Sequence, residues 1–126
     1  MSGWDAWINP LVDSKAAKSV GIYGHDGNPW AQSKGFSVSP AEVKAVVAGA
    51  GKADAFAATG VMVGGTKYMF LRAQDNYVFG KKGAGGCGAY KTSKAVIIGV
   101  YDENTQAGTF NTAIGKTADA LAAAGY

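Results

Sequence analysis

The chain has 126 residues, 48% hydrophobic and 17% charged, with 12 Lys and Arg against 9 Asp and Glu for a net charge of +3. That length suits one domain that buries its own core, and no apolar run approaches the ~20 residues a membrane-spanning helix needs. Asp5 interrupts any basic-then-apolar leader, and the single cysteine, Cys87, has no internal disulfide partner, so the expectation is a reducing, cytoplasmic setting. The 19 glycines are spread along the chain, which predicts many tight turns and argues against a low-complexity tail.

Residues 2–13 read as a short helix. Ser2 suits the N-cap, Asp5 favours the positive end of the helix dipole, and Trp4, Trp7, Ile8, Leu11 and Val12 recur at helical spacing. Pro10 removes a main-chain hydrogen bond and tends to kink or end such a helix. Ser19–Gly24 reads as a strand, His25-Asp26-Gly27-Asn28 as a turn, and a second strand follows through Trp30 to Gln32, together a β-hairpin. Ser39-Pro40-Ala41-Glu42 is the sharpest local signal: Ser39 as N-cap, Pro40 in the first helical position and Glu42 closing a capping box. Val43, Val46, Val47 and Ala50 supply the buried stripe, and Gly51 is the stop. Residues 52–58 are expected to add a helical turn with Phe56 inward.

From Gly60 the pattern turns to strands. Val61–Val63 leads into the turn pair Gly64-Gly65; strands over Lys67–Ala73 and Tyr77–Lys82 flank Gln74-Asp75-Asn76; another strand covers Gly86–Thr92. Gly83-Ala84-Gly85-Gly86-Cys87-Gly88 lacks the Gly-Lys-Ser/Thr ending and following helix of a phosphate loop, and reads as a flexible turn between strands. Ala95–Tyr101 is continuously apolar, as in a strand covered on both faces. Residues 109–124 read as a helix with Phe110, Ile114, Ala118 and Leu121 as its stripe. The order predicts an α+β fold in a single domain spanning 1–126. A central antiparallel sheet of six or seven strands should carry the first and last helices on one face and the shorter middle helices on the other.

Two features point to ligands. Trp4 and Trp7 share a helix face, and with Trp30 and Tyr126 they could form either part of the core or an exposed aromatic shelf suited to a polyproline II ligand. Lys67, Arg72, Lys81, Lys82, Lys91 and Lys94 fall in one stretch with the single acid Asp75. Such a segment attracts an acidic protein surface, a phosphoinositide head group or nucleic acid, or simply guards a strand edge. Catalytic chemistry is scarce. The only histidine, His25, sits in a turn, Cys87 lies among glycines without a base, and one His with one Cys makes no metal site.

The chain resembles the profilin family over essentially its whole length. The resemblance rests on Trp4-Asp5-Ala6-Trp7-Ile8, Asp26-Gly27-Asn28-Pro29-Trp30-Ala31, Phe79-Gly80-Lys81-Lys82-Gly83, Lys91-Thr92-Ser93-Lys94-Ala95 and a closing helix that ends on an aromatic residue. These are closest to the amoeboid and plant branches. Phe79 departs from the tyrosine often found there. The resemblance implies no enzyme and three binding functions. Proline-rich partners such as formin-type assembly factors would use Trp4, Trp7, Trp30, Leu121 and Tyr126. Monomeric actin would use Arg72, Lys81, Lys82, Lys91, Gln106, Gly108 and Asn111. Phosphoinositide head groups would use Arg72, Lys81, Lys82, Lys91 and Lys94. It also implies no nucleic-acid partner, no cofactor, and a cytoplasmic, cytoskeleton-associated protein that can visit the inner membrane surface. Trp7 stands where tyrosine is common and Ala120 where tyrosine or histidine is common, so selectivity for proline-rich ligands should be altered. The rival reading is a small adaptor or sensor domain that binds an anionic lipid or a metabolite without actin.

Overall fold

The computed structural model describes residues 5–33, 36, 38–49, 60–74 and 76–126. Along them run α1 Asp5–Asp13, β1 Ser19–Gly24, β2 Pro29–Gln32, α2 Pro40–Gly49, β3 Val61–Val63, β4 Thr66–Gln74, β5 Tyr77–Lys82, β6 Gly85–Lys91, β7 Ala95–Tyr101 and α3 Ala107–Ala123. The strands form one sheet in the order β2-β1-β7-β6-β5-β4-β3, and every neighbouring pair is antiparallel. The fold is therefore α+β, as the order of elements in the sequence predicts.

Alternation along β7 explains its unbroken apolar run. Ala95, Ile97 and Tyr101 join one core with Ile8 and Leu11 of α1 and Phe110, Ile114, Ala118 and Leu121 of α3. Val96, Ile98 and Val100 join the opposite core with Val43 and Val46 of α2 and Tyr23, Val61, Val63 and Val78. The terminal helices thus share one face of the sheet and α2 covers the other.

Helix α1 continues through Pro10 to Asp13 instead of ending there. Ile8 and Leu11 are buried on either side of the proline, whose own ring faces solvent. Two such burials, at about 1.5–3 kcal/mol each, offset the roughly 3 kcal/mol that a proline costs inside a helix. The capping box of α2 is complete: the Ser39 N–H donates to Glu42 Oε1 at 2.9 Å, and the Glu42 N–H donates to Ser39 Oγ at 3.2 Å. The second carboxylate oxygen, Glu42 Oε2, accepts the Gly65 N–H at 2.8 Å and staples α2 to the β3–β4 turn, a tie no local pattern reveals. In that turn Gly64 and Gly65 take φ of 59° and 81°, the left-handed conformation a two-residue hairpin demands. Val47 is half-buried and Gly49 buried. Ala50, Gly51 and residues 52–58, with Phe56, lie outside the described residues.

The glycine-rich segment is not a flexible turn. Only Gly83-Ala84 turns; Gly85–Gly88 belong to β6. A Cβ on Gly88 would lie 2.8 Å from the rings of both Phe110 and Phe79, and one on Gly99 would lie 3.1 Å from Ile114. Missing side chains on β6 and β7 are what let α3 lie close on the sheet. That helix starts at Ala107, two residues earlier than expected, with Gln106 as an N-cap that makes no side-chain cap bond.

Candidate ligand-binding surfaces

The aromatic group assembles at the β2 edge of the sheet. Trp7 of α1 and Trp30 of β2 are half-buried and pack against the core beneath the terminal helices. Tyr126 is 36% exposed, and its ring meets Trp30 edge-on, with centroids 6.1 Å apart and planes at 77°. Leu121 has no exposed surface, so it supports the shelf from below and does not line it. Ala120 is exposed on the neighbouring turn of α3 and leaves that stretch without a ring. Trp4, and with it the expected pairing of Trp4 and Tyr126, lies outside the described residues.

The end of α3 aims Tyr126. Gly125 adopts φ of 97°, the Gly125 N–H donates to the Ala122 carbonyl at 3.1 Å, and the Tyr126 N–H donates to the Leu121 carbonyl at 3.0 Å. This pair of bonds around a left-handed glycine is a Schellman motif. It turns the chain back over the helix end and brings Tyr126 to Trp30. A glycine directly after an alanine-rich helix was the available signal, unused in the reading of the sequence. The Tyr126 main-chain oxygen also accepts the Lys94 N–H at 3.1 Å, so the β6–β7 turn holds the far side of the same residue.

His25 has a role its turn position does not disclose. Its Nε2 lies 2.9 Å from the Thr92 carbonyl oxygen and 3.0 Å from the Ala95 carbonyl oxygen. Both partners only accept, so Nε2 carries the hydrogen and shares it between them. The β6–β7 turn is otherwise closed by Thr92, whose N–H donates to Ala95 O at 2.7 Å and whose Oγ1 accepts the Ala95 N–H at 3.1 Å.

The basic residues do not form one patch. Lys81 and Lys82 end β5, where Lys82 pairs with Gly85 at the start of β6. With Lys67, Met69, Phe70, Gly60 and Gly83 they line an open recess. Lys91 closes β6 at its other end, six strand residues or about 20 Å away, and Lys94 sits on the turn beyond it. Proximity in sequence therefore overstates their proximity in space, because an antiparallel hairpin sends successive turns to opposite ends of the sheet. Gln106, Gly108 and Asn111 open α3, which enters beside Tyr101 at the Lys82 end. Gln106 and Gly108 are exposed and Asn111 is half-buried.

Arg72 stands between these groups on the face shared with α3. A bulge between Phe70 and Arg72 brings Arg72 opposite Phe79. Its guanidinium lies 5.3 Å from the Phe79 ring centroid and 5.7 Å from that of Tyr77. Tyr77, Phe79 and Tyr90 in turn stack on one another, with centroids 4.9–5.7 Å apart. The exposed cation rests on aromatic faces, an arrangement worth about 0.5–1 kcal/mol at the surface. Beside it Met69 and Leu71 are 71% and 50% exposed. A partly apolar surface with a ring-seated cation and a lysine-lined recess results. Four strand spacings, about 19 Å, separate β5 from the β2 edge that carries the shelf.

The thiol of Cys87 is kept from acting as a nucleophile. Cys87 is buried in the α2-side core, and burial pushes its thiol up to about 12. Among the described residues no group of three His, Cys, Asp or Glu side chains could hold a metal ion.

Comparison with known proteins agrees with this architecture. The Profilin family model matches residues 2–126. Profilin-2 of Acanthamoeba castellanii is 43% identical over 124 residues, covering 98% of both chains. The structure of Acanthamoeba castellanii profilin IA superposes with a TM-score of 0.92 at 38% identity, over 98% of this chain and 100% of that one. Two more distant structures share the fold: mouse profilin IIa in complex with a double repeat from the FH1 domain of mDia1, at 17% identity with a TM-score of 0.80, and the LokiProfilin2/rabbit actin complex, at 17% with 0.77. They cover 99% and 98% of this chain. A seven-stranded antiparallel sheet with the terminal helices on one face, matched along the whole chain at this identity, places it in the profilin family.

Proposed function

We propose that this chain binds monomeric actin at its barbed-end face and proline-rich ligands on the aromatic shelf, both at once. Actin would lie on the surface around Arg72, Lys81 and Lys82 with Gln106, Gly108 and Asn111 at the start of α3. Lys91 would meet it only at the margin. Bound there, the protein suppresses spontaneous nucleation, supplies monomers to growing barbed ends and promotes nucleotide exchange on actin. The shelf of Trp7, Trp30 and Tyr126, seated on Leu121, with Trp4 as the further ring expected from the sequence, tethers the complex to proline-rich segments of formin-type assembly factors. The observation that carries this reading is the separation of the two surfaces by four strand spacings, which lets one molecule hold both partners. Related folds solved in complex with actin and with a double FH1 repeat support it. The protein acts in the cytoplasm, with the cytoskeleton.

The basic residues also support a reading of phosphoinositide binding, at one end of the sheet at a time. A single inositol head group does not span the length of β6, so Lys81 and Lys82 with Lys67 form one candidate set, beside Arg72, and Lys91 with Lys94 another. The first set overlaps the actin surface and makes lipid and actin compete at the membrane. Retention on poly-L-proline followed by a pyrene-actin assembly assay tests the main reading. Retention with slowed nucleation supports it, and a chain that does neither refutes it.

A further inference from the structure

The structure assigns His25 as a positioning residue for the proline-ligand shelf, acting on Tyr126 through the β6–β7 turn. The inference rests on the reading of the shelf given above. His25 belongs to the turn that joins β1 to β2, and Trp30 is the second residue of β2. Nε2 of His25 donates to Thr92 O and Ala95 O, and from the turn so held the Lys94 N–H donates to the Tyr126 main-chain oxygen at 3.1 Å. The Tyr126 ring then returns to Trp30 at 6.1 Å. The contacts close a circuit: hairpin, histidine, turn, terminal tyrosine, tryptophan, hairpin.

Each link is stiff. Asp26 Oδ1 accepts the Asn28 N–H at 3.0 Å, and the Gly27 N–H donates to Gly24 O at 3.0 Å, which fixes the turn that carries His25. Thr92 closes its own turn through both its hydroxyl and its N–H. Two aromatic rings from distant parts of the chain present a ligand with a preformed surface only if their backbones keep a fixed separation. The Schellman motif holds Tyr126 from the helix side, and the His25-held turn holds it from the sheet side. Removing the ring nitrogen leaves the Thr92–Ala95 turn tied to β1 only through the pairing of Gly24 with Ala95, and no longer to the turn that joins β1 to β2. The Lys94–Tyr126 bond and the ring geometry then loosen.

A double-mutant cycle tests this, with poly-L-proline titrated against tryptophan fluorescence. His25→Ala is expected to weaken binding about fivefold, the size of one or two lost hydrogen bonds. His25→Gln, whose amide nitrogen can donate to the same carbonyls, is expected to recover most of that loss. In a Tyr126→Ala background His25→Ala is expected to change nothing further, because the residue it positions is gone. Unchanged binding in folded His25→Ala, or an equal loss with and without the Tyr126 ring, overturns the inference while leaving the shelf intact. Failure of the unmodified chain to bind overturns both. Should His25→Ala not fold, nuclear magnetic resonance on the unmodified chain decides. The Lys94 amide is expected to be protected from exchange and to shift on addition of poly-L-proline, and an unprotected, unshifted Lys94 amide overturns the inference.

Discussion

The phenol ring of Tyr126 stands edge-on to the indole of Trp30, with centroids 6.1 Å apart and planes at 77°. One ring follows the Gly125 turn just beyond α3 and the other lies on the edge strand β2, so the contact ties the end of α3 to a hairpin far from it in sequence. An edge-to-face pair of this kind is worth about 0.5–1.5 kcal/mol beyond its buried area. It also sets the two rings nearly perpendicular, which shapes a step in the shelf and not a flat plane.

Tyr126→Ala removes one wall of that step. Poly-L-proline affinity is expected to fall about tenfold, as for other exposed aromatic anchors, while actin affinity stays as it was. Fluorescence titration and actin sedimentation measure the two effects separately.

Gly125→Ala keeps the ring but disturbs its aim. The residue sits at φ of 97° with nothing within 4 Å of a new Cβ, so the cost is backbone strain and not collision. About 1 kcal/mol of stability should be lost, and the ligand affinity should fall with it as the Tyr126 N–H leaves Leu121. Gly125→Asn, better suited to the left-handed region, is expected to recover part of both. Thermal unfolding and the same titration check this.

Stability should decline in alkali. Burial raises the Cys87 thiol from its ordinary 9.0 to about 12, and burial also raises the phenols of Tyr68, Tyr90 and Tyr101. The unfolded chain ionises these groups first. Their contribution to stability is therefore constant below pH 9 and is lost as pH climbs toward 12, with Cys87 accounting for at most about 1.4 kcal/mol per pH unit. Urea midpoints across that range measure the slope, which Cys87→Ala is expected to make shallower. The native thiol should also resist alkylating reagents that label it once unfolded.

Lys82→Glu reverses a charge on the rim of the proposed actin surface. Association with actin is expected to slow several-fold at low salt and to approach the unmodified rate at high salt, because steering acts through a screened field. Stopped-flow mixing with labelled actin gives the rates, and poly-L-proline affinity should not move.

Much of this architecture was legible in the sequence. Strand alternation, the Ser39–Glu42 box and the stripe Phe110, Ile114, Ala118 and Leu121 are local patterns, and each appears where its spacing predicts. What was not legible depends on residues far apart in the chain. His25 reads as a turn residue because its partners lie 67 and 70 positions away. Gly88 of β6 reads as flexible because the rings that need its space, Phe79 and Phe110, come from another strand and from α3. The lysines read as one patch because sequence order hides which end of the sheet each turn occupies. Leu121 shares its helical stripe with core residues, and that periodicity, not its closeness to the shelf, set its burial.

The claim that one molecule holds actin and a proline-rich ligand on separate surfaces is tested most directly by titrating poly-L-proline into the preformed complex with labelled monomeric actin, followed by analytical ultracentrifugation. Saturating poly-L-proline is expected to leave actin bound with unchanged affinity and to add its mass to the sedimenting species. Release of actin as the proline ligand binds would contradict the account.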